Sequence, residues 1–489
     1  MPSHPQGQPE TPQPAPKAAA KPAVKEQVIQ FHSSKRIHPK RAIGKFANLR
    51  VLMIVATQLF FYGMPWIMWH GRQAVLFNIE ERHFYLFSMV LEPADMLYLA
   101  GLMIVSAFGL FWWTTIAGRL WCGYSCPQTV YTEIMLWIDH LVEGDRNKRL
   151  KLDKEPWNFH KIRIKALKYL IIFIVVAWTG ITFAGWFVPI RQFVPAIFTG
   201  TAGSVALGTA AFYGFVTWLF GHILREKVCL HMCPYARFQS AMFDHDTLVI
   251  SYDVERGEPR GARKKNASKE ETQLGDCINC TMCVQVCPTG IDIRDGLQYQ
   301  CIGCAACIDA CDEIMDKMGY PRGLIRYTTE AVLKHEYTDA DVKKRLLRPK
   351  VVGYGVVLLV AVIGLCVGLA TRATVQIDVI KDRGVMVREN KEGLLENSYN
   401  LSISNASEQT QIIQASVSGL DDIRLTGLPE NGISIKGGDI ITIPVQVATQ
   451  PEYAEKGSHP IQFTFKYRVA GQPENEARVL QEKSIFIGE

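Results

Sequence analysis

Cys277-Ile278-Asn279-Cys280-Thr281-Met282-Cys283-Val284-Gln285-Val286-Cys287-Pro288, followed by Cys301-Ile302-Gly303-Cys304-Ala305-Ala306-Cys307-Ile308-Asp309-Ala310-Cys311, sets eight cysteines in two runs of one spacing. C-x2-C-x2-C-x3-C, given twice, is the bacterial ferredoxin ligand pattern for two [4Fe-4S] clusters. Each iron at a cubane corner takes one thiolate. Two-residue gaps let three thiolates of a tight loop reach three irons, and the fourth comes from the other run. The spacing therefore predicts Cys277, Cys280, Cys283 and Cys311 on one cluster, and Cys301, Cys304, Cys307 and Cys287 on the other. Zinc is the plainer alternative, but it takes four ligands from paired C-x2-C knuckles, and a third cysteine repeated in each run argues against it. Asp312 stands after Cys311 where Pro288 follows Cys287; that proline turns the chain and is not a ligand.

At 489 residues the chain is long enough for roughly three domains. Hydrophobic residues are 48% against 20% charged, and the excess falls in blocks, as in a membrane protein with water-soluble parts. Five blocks, 49–69, 96–118, 166–188, 204–224 and 351–371, approach or exceed the roughly 20 apolar residues that cross a bilayer. Buried core helices would explain one such block; five, several with Trp or Tyr near an end, point to spans. The predicted organisation is a disordered tail over 1–36 and a membrane domain with four spans over 37–250. A ferredoxin-like insert over 251–348, a fifth span over 349–372 and a final domain over 373–489 complete it. The tail lacks the apolar stretch of a signal peptide.

Basic residues flank alternate ends of the spans. Lys40, Arg41, Lys45 and Arg50 lead into the first. Arg119, Arg146, Lys148, Arg149, Lys151, Lys161, Arg163 and Lys165 lie between the second and third. Arg225 and Lys227 follow the fourth, and Lys343, Lys344, Arg345, Arg348 and Lys350 precede the fifth. The loop after the first span sets Glu80, Glu81, Glu92 and Asp95 against Arg72 and Arg82, and the loop after the third has Arg191 alone. The positive-inside rule then places the N-terminus and the ferredoxin insert in the cytoplasm and the C-terminal region in the periplasm of a bacterium. Thirteen cysteines, none beyond Cys366, suit a reducing compartment better than a disulfide framework. The net charge of +6 tracks the membrane flanks, so nucleic acid is not an expected partner. There is no G-x-G-x-x-G after a strand, no P-loop and no nucleophile–base pair to suggest a soluble enzyme.

The last region has short alternating segments at 374–379, 399–403, 411–417, 440–447 and 461–468, parted by Gly, Asn, Asp and Pro. That pattern predicts an immunoglobulin-like β-sandwich without the Cys…Trp…Cys hallmark. The predicted fold class is thus an α-helical transmembrane bundle of about five spans, carrying a dicluster ferredoxin-like insert and a C-terminal all-β sandwich.

Two further motifs resemble each other: Trp121-Cys122-Gly123-Tyr124-Ser125-Cys126-Pro127 and Val228-Cys229-Leu230-His231-Met232-Cys233-Pro234. Both read C-x3-C-P, follow a span and are succeeded by a helix-compatible stretch ending in Asp-His, at Asp139-His140 and Asp244-His245. This is an internal repeat of a two-span unit. On a helix the i, i+4 spacing sets both sulfurs on one face, and the proline suits a helix start or a bend. Four thiols brought together by the repeat would hold a soft metal or cluster, or form two redox-active dithiols; the plainer reading is small buried helix residues. His231 and Met232 are weaker candidate ligands. Met64, Met68, His70, His83 and Met89 around the first loop read as packing before metal capture, and Cys366 as an apolar filler.

Taken together, the basic N-terminal flank, the two C-x3-C-P motifs, the loop Tyr252-Asp253-Val254-Glu255-Arg256-Gly257-Glu258-Pro259-Arg260, the dicluster insert, the last span and the β-domain resemble the cytochrome c oxidase accessory protein family, called CcoG, FixG or RdxA. The resemblance covers nearly the whole chain beyond the tail. It implies a bacterial inner-membrane protein in the maturation of cbb-type cytochrome oxidases, which delivers electrons that reduce Cu(II) to Cu(I) for the oxidase copper centre. Implied partners are the oxidase, copper chaperones and the copper-exporting ATPase, with an unnamed electron donor. On this reading Cys122, Cys126, Cys229 and Cys233 bind or reduce copper. Two other readings stand beside it: a polyferredoxin-type quinol dehydrogenase feeding periplasmic reductases, and an assembly scaffold without a redox role.

Overall fold

The computed structural model describes residues 37–91, 95–263, 273–338, 341, 345, 347–382, 387–390, 392–429, 431–473 and 476–488. The predicted tail over 1–36, and Glu92, Lys343 and Lys344 of the charge pattern, lie outside them.

Helix α1 (Lys45–Gly63) opens the bundle with no cap from its own side chains. The carboxylate of Asp309, far along the chain, accepts from the Phe46 and Ala47 backbone amides at 3.2 and 2.7 Å instead. After α1 comes a small antiparallel sheet of β1 (Val75–Asn78), β2 (His83–Leu86) and β3 (Met89–Leu91). Then follow α2 (Met96–Ala117), α3 (Leu120–Tyr124), α4 (Pro127–Glu143), α5 (Arg146–Lys154), α6 (Phe159–Ala184), α7 (Ile190–Thr199) and α8 (Ser204–Trp218), whose last turns widen to a π-helix at Leu219–Leu224.

Among the described residues five helices are long and apolar enough to cross a membrane: Lys45–Trp66, Met96–Ala117, Phe159–Ala184, Ser204–Leu224 and Pro349–Ala370. The third starts seven residues before the block read from sequence. Its first turns are basic and hide from a hydropathy count, yet Asn158 caps them by accepting from the Lys161 amide at 2.8 Å. The loop expected after it contains α7. Leu97, Met103 and Ile104 on α2, and Leu359 and Val360 on the last span, are all more than half exposed. On helices of spanning length, apolar faces of this kind suit contact with lipid. Between α6 and α8 the backbones close on glycine: a Cβ at Gly214 would sit 2.9 Å from the Val176 carbonyl oxygen, the small-residue packing of membrane helices.

Beyond α8 lie α9 (Pro234–Met242) and the ferredoxin insert. Its frame is an antiparallel pair, β4 (Val249–Tyr252) and β5 (Ile325–Thr328). Between these strands lie the two cysteine runs and α10 (Ala306–Met318). Helix α11 (Pro349–Ala370) returns along α2, where Trp112 Nε1 donates to the Val351 carbonyl at 3.0 Å and Tyr98 Oη to that of Gly368 at 3.2 Å.

The C-terminal region packs two antiparallel sheets. Its main strands are β6 (Val375–Lys381), β7 (Leu395–Asn405), β8 (Gln411–Ser418), β9 (Arg424–Thr426), β10 (Ile433–Ile435), β11 (Ile440–Thr449), β12 (Gly457–Val469) and β13 (Arg478–Gly488). One sheet runs β9-β11-β7-β6, the other β10-β8-β12-β13. Tyr399, Leu401, Val447, Phe463, Phe465 and Phe486 fill the space between. Strand β13 escaped the sequence reading because Arg478, Gln481, Glu482 and Lys483 dilute its apolar residues and its first half has no buried position; pairing with β12 from end to end holds it. The sandwich meets the loop after α1 through Glu408, which pairs with Arg72 at 2.9 Å and His70 at 3.0 Å.

Candidate functional site: a line of thiols from the insert to the membrane

Each cysteine run turns left-handed at the same two places. Asn279 and Thr281 in the first, Gly303 and Ala305 in the second, all have φ between 52 and 70°. That conformation is unfavourable for residues other than glycine, and its repetition shows two loops of one design. One small cavity is lined by Cys277, Cys280, Cys283 and Cys311, a second by Cys287, Cys301, Cys304 and Cys307; Cys283 lines both. Apart from Arg294 and a few hydroxyls, the rest of both linings is apolar. Burial pushes Cys283 up to about 11 and Cys301 and Cys311 up to about 12. Neighbouring thiols add to the shift at Cys301, as they do at Cys307. Thiolates in such places need a cation among them, and a donor set of soft sulfur alone fits iron–sulfur ligation.

The loop Tyr252–Arg260 straps the first run. Arg256 Nε donates to Asp276 at 2.6 Å, the Asp276 amide to the Arg256 carbonyl at 2.9 Å, and the Gly261 amide to the Cys277 carbonyl at 3.2 Å. It is part of the insert's framework, with one helical turn at Val254–Gly257.

The C-x3-C-P motifs do not lie on single helices. Cys122 is in α3, but Cys126 is the N-cap of α4 with extended backbone (φ −62°, ψ 127°). Cys229 is in a π-helical turn, and Cys233 is the extended N-cap of α9 (φ −75°, ψ 112°). Pro127 and Pro234 explain the break: proline excludes the preceding residue from helical backbone and favours the first position of the next helix. The two halves then cross over. Helix α4, after the first motif, packs on the end of the span before the second, while α9, after the second motif, packs on α2. Gln128 fastens the first crossing, its Nε2 donating to the Phe220 and Arg225 carbonyls at 2.9 and 3.0 Å. This exchange brings the four thiols together. Burial pushes Cys122 up to about 11, with Cys126 and Cys233 adding to it; burial pushes Cys229 up to about 12, with the other three adding. Buried Gln239 donates to Cys122 Sγ at 3.4 Å.

A tight seam joins this quartet to the insert. A Cβ on Gly123 would stand 2.8 Å from the Gly303 carbonyl group and 2.9 Å from Cys304 Cα. Cys122 and Cys229 pack against the cluster of Cys304, Ile302 and Val286. Arg119 ties three elements at once, donating to the carbonyls of Cys301 (3.2 Å), Tyr299 and Ala236. Tyr327 Oη donates to the Gly303 carbonyl at 2.7 Å. Sequence reasoning missed Gly123, Arg119, Gln239, Tyr327 and Asp309; only the repeat itself, which sets Gly123 inside a cysteine motif, hinted at one.

The repeated Asp residues anchor the two halves. Asp139, buried, pairs with Arg225 at 2.7 Å and Lys168 at 2.8 Å. Asp244 pairs with Arg348 at 2.8 Å and Lys350 at 3.3 Å. His231 and Met232 are exposed, and Cys366 is exposed on the last apolar helix. Among the described residues no three Cys, His, Asp or Glu side chains, including His70 and His83, lie close enough to share a single metal ion.

Three family models match this chain. A 4Fe-4S dicluster domain covers residues 224–330, a 4Fe-4S binding domain covers 99–149, and the IG-like fold at the C-terminal of FixG covers 365–489. The nitrogen fixation protein FixG of Rhizobium meliloti is 36% identical over 421 residues, 80% of each chain. Protein RdxB of Cereibacter sphaeroides is 35% identical over 421 residues, 84% of this chain and 88% of RdxB. A crystal structure of a FixG-related protein from Vibrio parahaemolyticus aligns with 24% of this chain and 99% of its own, at 23% identity and a TM-score of 0.21. Five apolar helices and a dicluster ferredoxin-type domain define a membrane-bound iron–sulfur electron-transfer protein. The chain belongs to the FixG family, with RdxA and RdxB among its members.

Proposed function

We propose that this protein carries single electrons from the ferredoxin insert to the four thiols at the membrane end, and that the electrons reduce Cu(II) to Cu(I) for assembly of a cbb-type cytochrome oxidase. The seam at Gly123 and Gly303 carries the reading: the second cysteine run is packed backbone to backbone against the first C-x3-C-P motif. Cys277, Cys280, Cys283 and Cys311 would hold one [4Fe-4S] cluster, and Cys287, Cys301, Cys304 and Cys307 the other. When bound, the clusters supply one-electron chemistry. Cys122, Cys126, Cys229 and Cys233 offer soft donors that prefer Cu(I) as product. The raised pKa values of Cys122, Cys126 and Cys229 mean that copper binding displaces protons. Arg119, buried beside them, holds the motif and both partner elements in register. Basic flanks support a cytoplasmic insert and a periplasmic sandwich. The oxidase, its copper chaperones and the copper-exporting ATPase are the partners this reading names.

The test is anaerobic protein with dithionite-reduced clusters, challenged with Cu(II). Cluster oxidation should match Cu(I) formation electron for electron. The match should be lost when Cys122, Cys126, Cys229 and Cys233 are all changed to Ser with iron content preserved. Clusters that stay reduced in Cu(II) would sink the proposal.

A further inference from the structure

A cavity of about 580 Å³ lies between the first turns of α1, one face of α4 and the ferredoxin insert. Its size is that of a small-molecule site. It is a built feature, because the chain that closes it is pinned on both sides. The Lys40 amide donates to the Gln285 carbonyl at 2.8 Å, and Arg149 donates to the Pro39 carbonyl at 2.7 Å. Three properties of the cavity converge.

The first is its level. It opens where α1 begins to be apolar, and Ile43 and Leu141 on its wall are 72 and 80% exposed. The second is its polar interior. Arg50, 8% exposed, sets its Nη2 3.5 Å from Glu133 Oε1, and among the described residues no partner takes its Nε. Trp137 Nε1 donates to the same Glu133 oxygen at 3.2 Å. His140 lies one turn further along α4 and lines the cavity as well. The third is what forms the far wall. Val286 and Pro288 flank Cys287, and Ala306 precedes Cys307. Ala42 packs on the cluster of Val286, Cys304 and Ala306.

We infer that this cavity is the electron entry and binds the head group of an isoprenoid quinol. An apolar approach at membrane level suits a lipid-soluble reductant. Acid–base side chains inside suit one that releases protons, and the wall of cysteine-bearing loops suits one that releases electrons singly. Lys40 and Arg41 line the cavity beside the Arg50–Glu133 pair, so an anionic lipid head group is the competing occupant, and the phosphatidylglycerol arm of the test separates the two. Arg149 donates to His140 Nε2 at 3.3 Å and, with burial, holds the imidazole below its ordinary pKa, so a neutral ring with its hydrogen on Nδ1 lines the cavity. In the reaction both O–H bonds of the quinol break. Two electrons would leave singly to the two oxidised [4Fe-4S] groups that the eight cysteines would hold, and two protons would pass by way of Glu133 to water; the quinone departs by the apolar mouth. This rests on the eight cysteines holding two one-electron clusters, and it names the donor that the copper reading lacks.

The experiment uses the full chain in lipid nanodiscs under anaerobic conditions, with an azidoquinone as photoprobe and decylubiquinol as reductant. Labelling should map to peptides covering residues 39–51 and 133–141 and be suppressed by excess decylubiquinone. Val51→Trp, which fills the cavity from α1, should lower labelling by about tenfold with iron content unchanged. Glu133→Gln should keep the label but slow appearance of the reduced-cluster electron paramagnetic resonance signal on adding decylubiquinol. Label elsewhere, label displaced equally by phosphatidylglycerol, or full labelling of Val51→Trp would overturn the inference. Dithionite-driven copper reduction bypasses the quinol. If it persists while labelling fails, the quinol site falls alone; if it fails while labelling holds, the copper reading falls alone.

Discussion

Gly123→Ala tests whether the motif and the insert work as one rigid unit. The added methyl would stand 2.8 Å from the Gly303 carbonyl group and 2.9 Å from Cys304 Cα, against ordinary carbon contacts of about 3.5–4.0 Å. One side must retreat by about 0.6 Å or more. Neither is free to do so: Gly303 is held by Tyr327 Oη at 2.7 Å, and its neighbour Cys301 by Arg119 at 3.2 Å. Gly303 has its own left-handed backbone at φ 70° and a Cβ there would press on the Arg119 carbonyl at 3.0 Å. Forcing a methyl into such packing costs about 1–3 kcal/mol, which shifts the docked-to-undocked ratio about 5- to 150-fold. Hydrogen exchange on the intact protein reads this directly. Amides of 119–126 and 299–305 should lose protection by that factor while the sandwich is unchanged. Gly353→Ala, on the last span with nothing near its Cβ position, is the control. Unchanged protection in both segments would mean that the seam is not a rigid contact.

Asp139→Ala removes the buried carboxylate that Arg225 and Lys168 share, leaving Lys168 with Glu143 at 3.0 Å, and should destabilise the bundle by about 3 kcal/mol in denaturant unfolding. Burial alone would raise the Asp139 carboxyl, but Arg225 and Lys168 outweigh it and hold it well below the usual carboxylate range. Its contribution is therefore present above about pH 4 and is lost as pH falls further. Unfolding followed from pH 7 downward should show no step from this group until then, and Asp139→Ala should remove that acid step. Asp309→Ala removes the acceptor of two amides at the start of α1 and should cost about 1–2 kcal/mol; faster exchange confined to residues 45–48 and their surroundings is the readout. Asn405→Ala strips a buried amide that donates to the Gln409, Ile435 and Lys436 carbonyls at 2.8, 3.1 and 3.2 Å. The sandwich should lose about 2–3 kcal/mol, seen as a lower melting temperature.

The five apolar helices were legible because crossing a bilayer demands length and apolarity within one segment, and both are local. The sandwich was legible for a similar reason: Leu395–Asn405 and Gly457–Val469 alternate buried and less buried residues along much of their length. Cysteine spacing is local too. What stayed hidden is contact between distant segments. Arg119 reads as one more basic flank until the fold brings Cys301 and Ala236 to it. Asp309 reads as a polar residue between two cysteines until α1 arrives without a cap. Pro127 and Pro234 were visible as helix starts, but not that Cys126 and Cys233 would become the caps, because that requires knowing where the previous helix stops. The early start of α6 was masked by the basic residues that make the flank useful for orientation.

The crossing of the two repeated halves has a consequence for assembly. Neither half owns a complete quartet: Cys122 and Cys126 meet Cys229 and Cys233 only after α4 has packed on the end of α8 and α9 on α2. The insert then closes on the assembled quartet through Gly303, and the same α10 that carries Cys307 and Cys311 carries Asp309, the cap of α1. Whatever orders the second cysteine run therefore also orders the first turn of the first span. Tight packing transmits such constraints because it lacks slack, so the iron sites, the thiol quartet and the entry to the bundle form one mechanical unit. The electron path proposed above would then be continuous in the folded protein and broken in any partly assembled one.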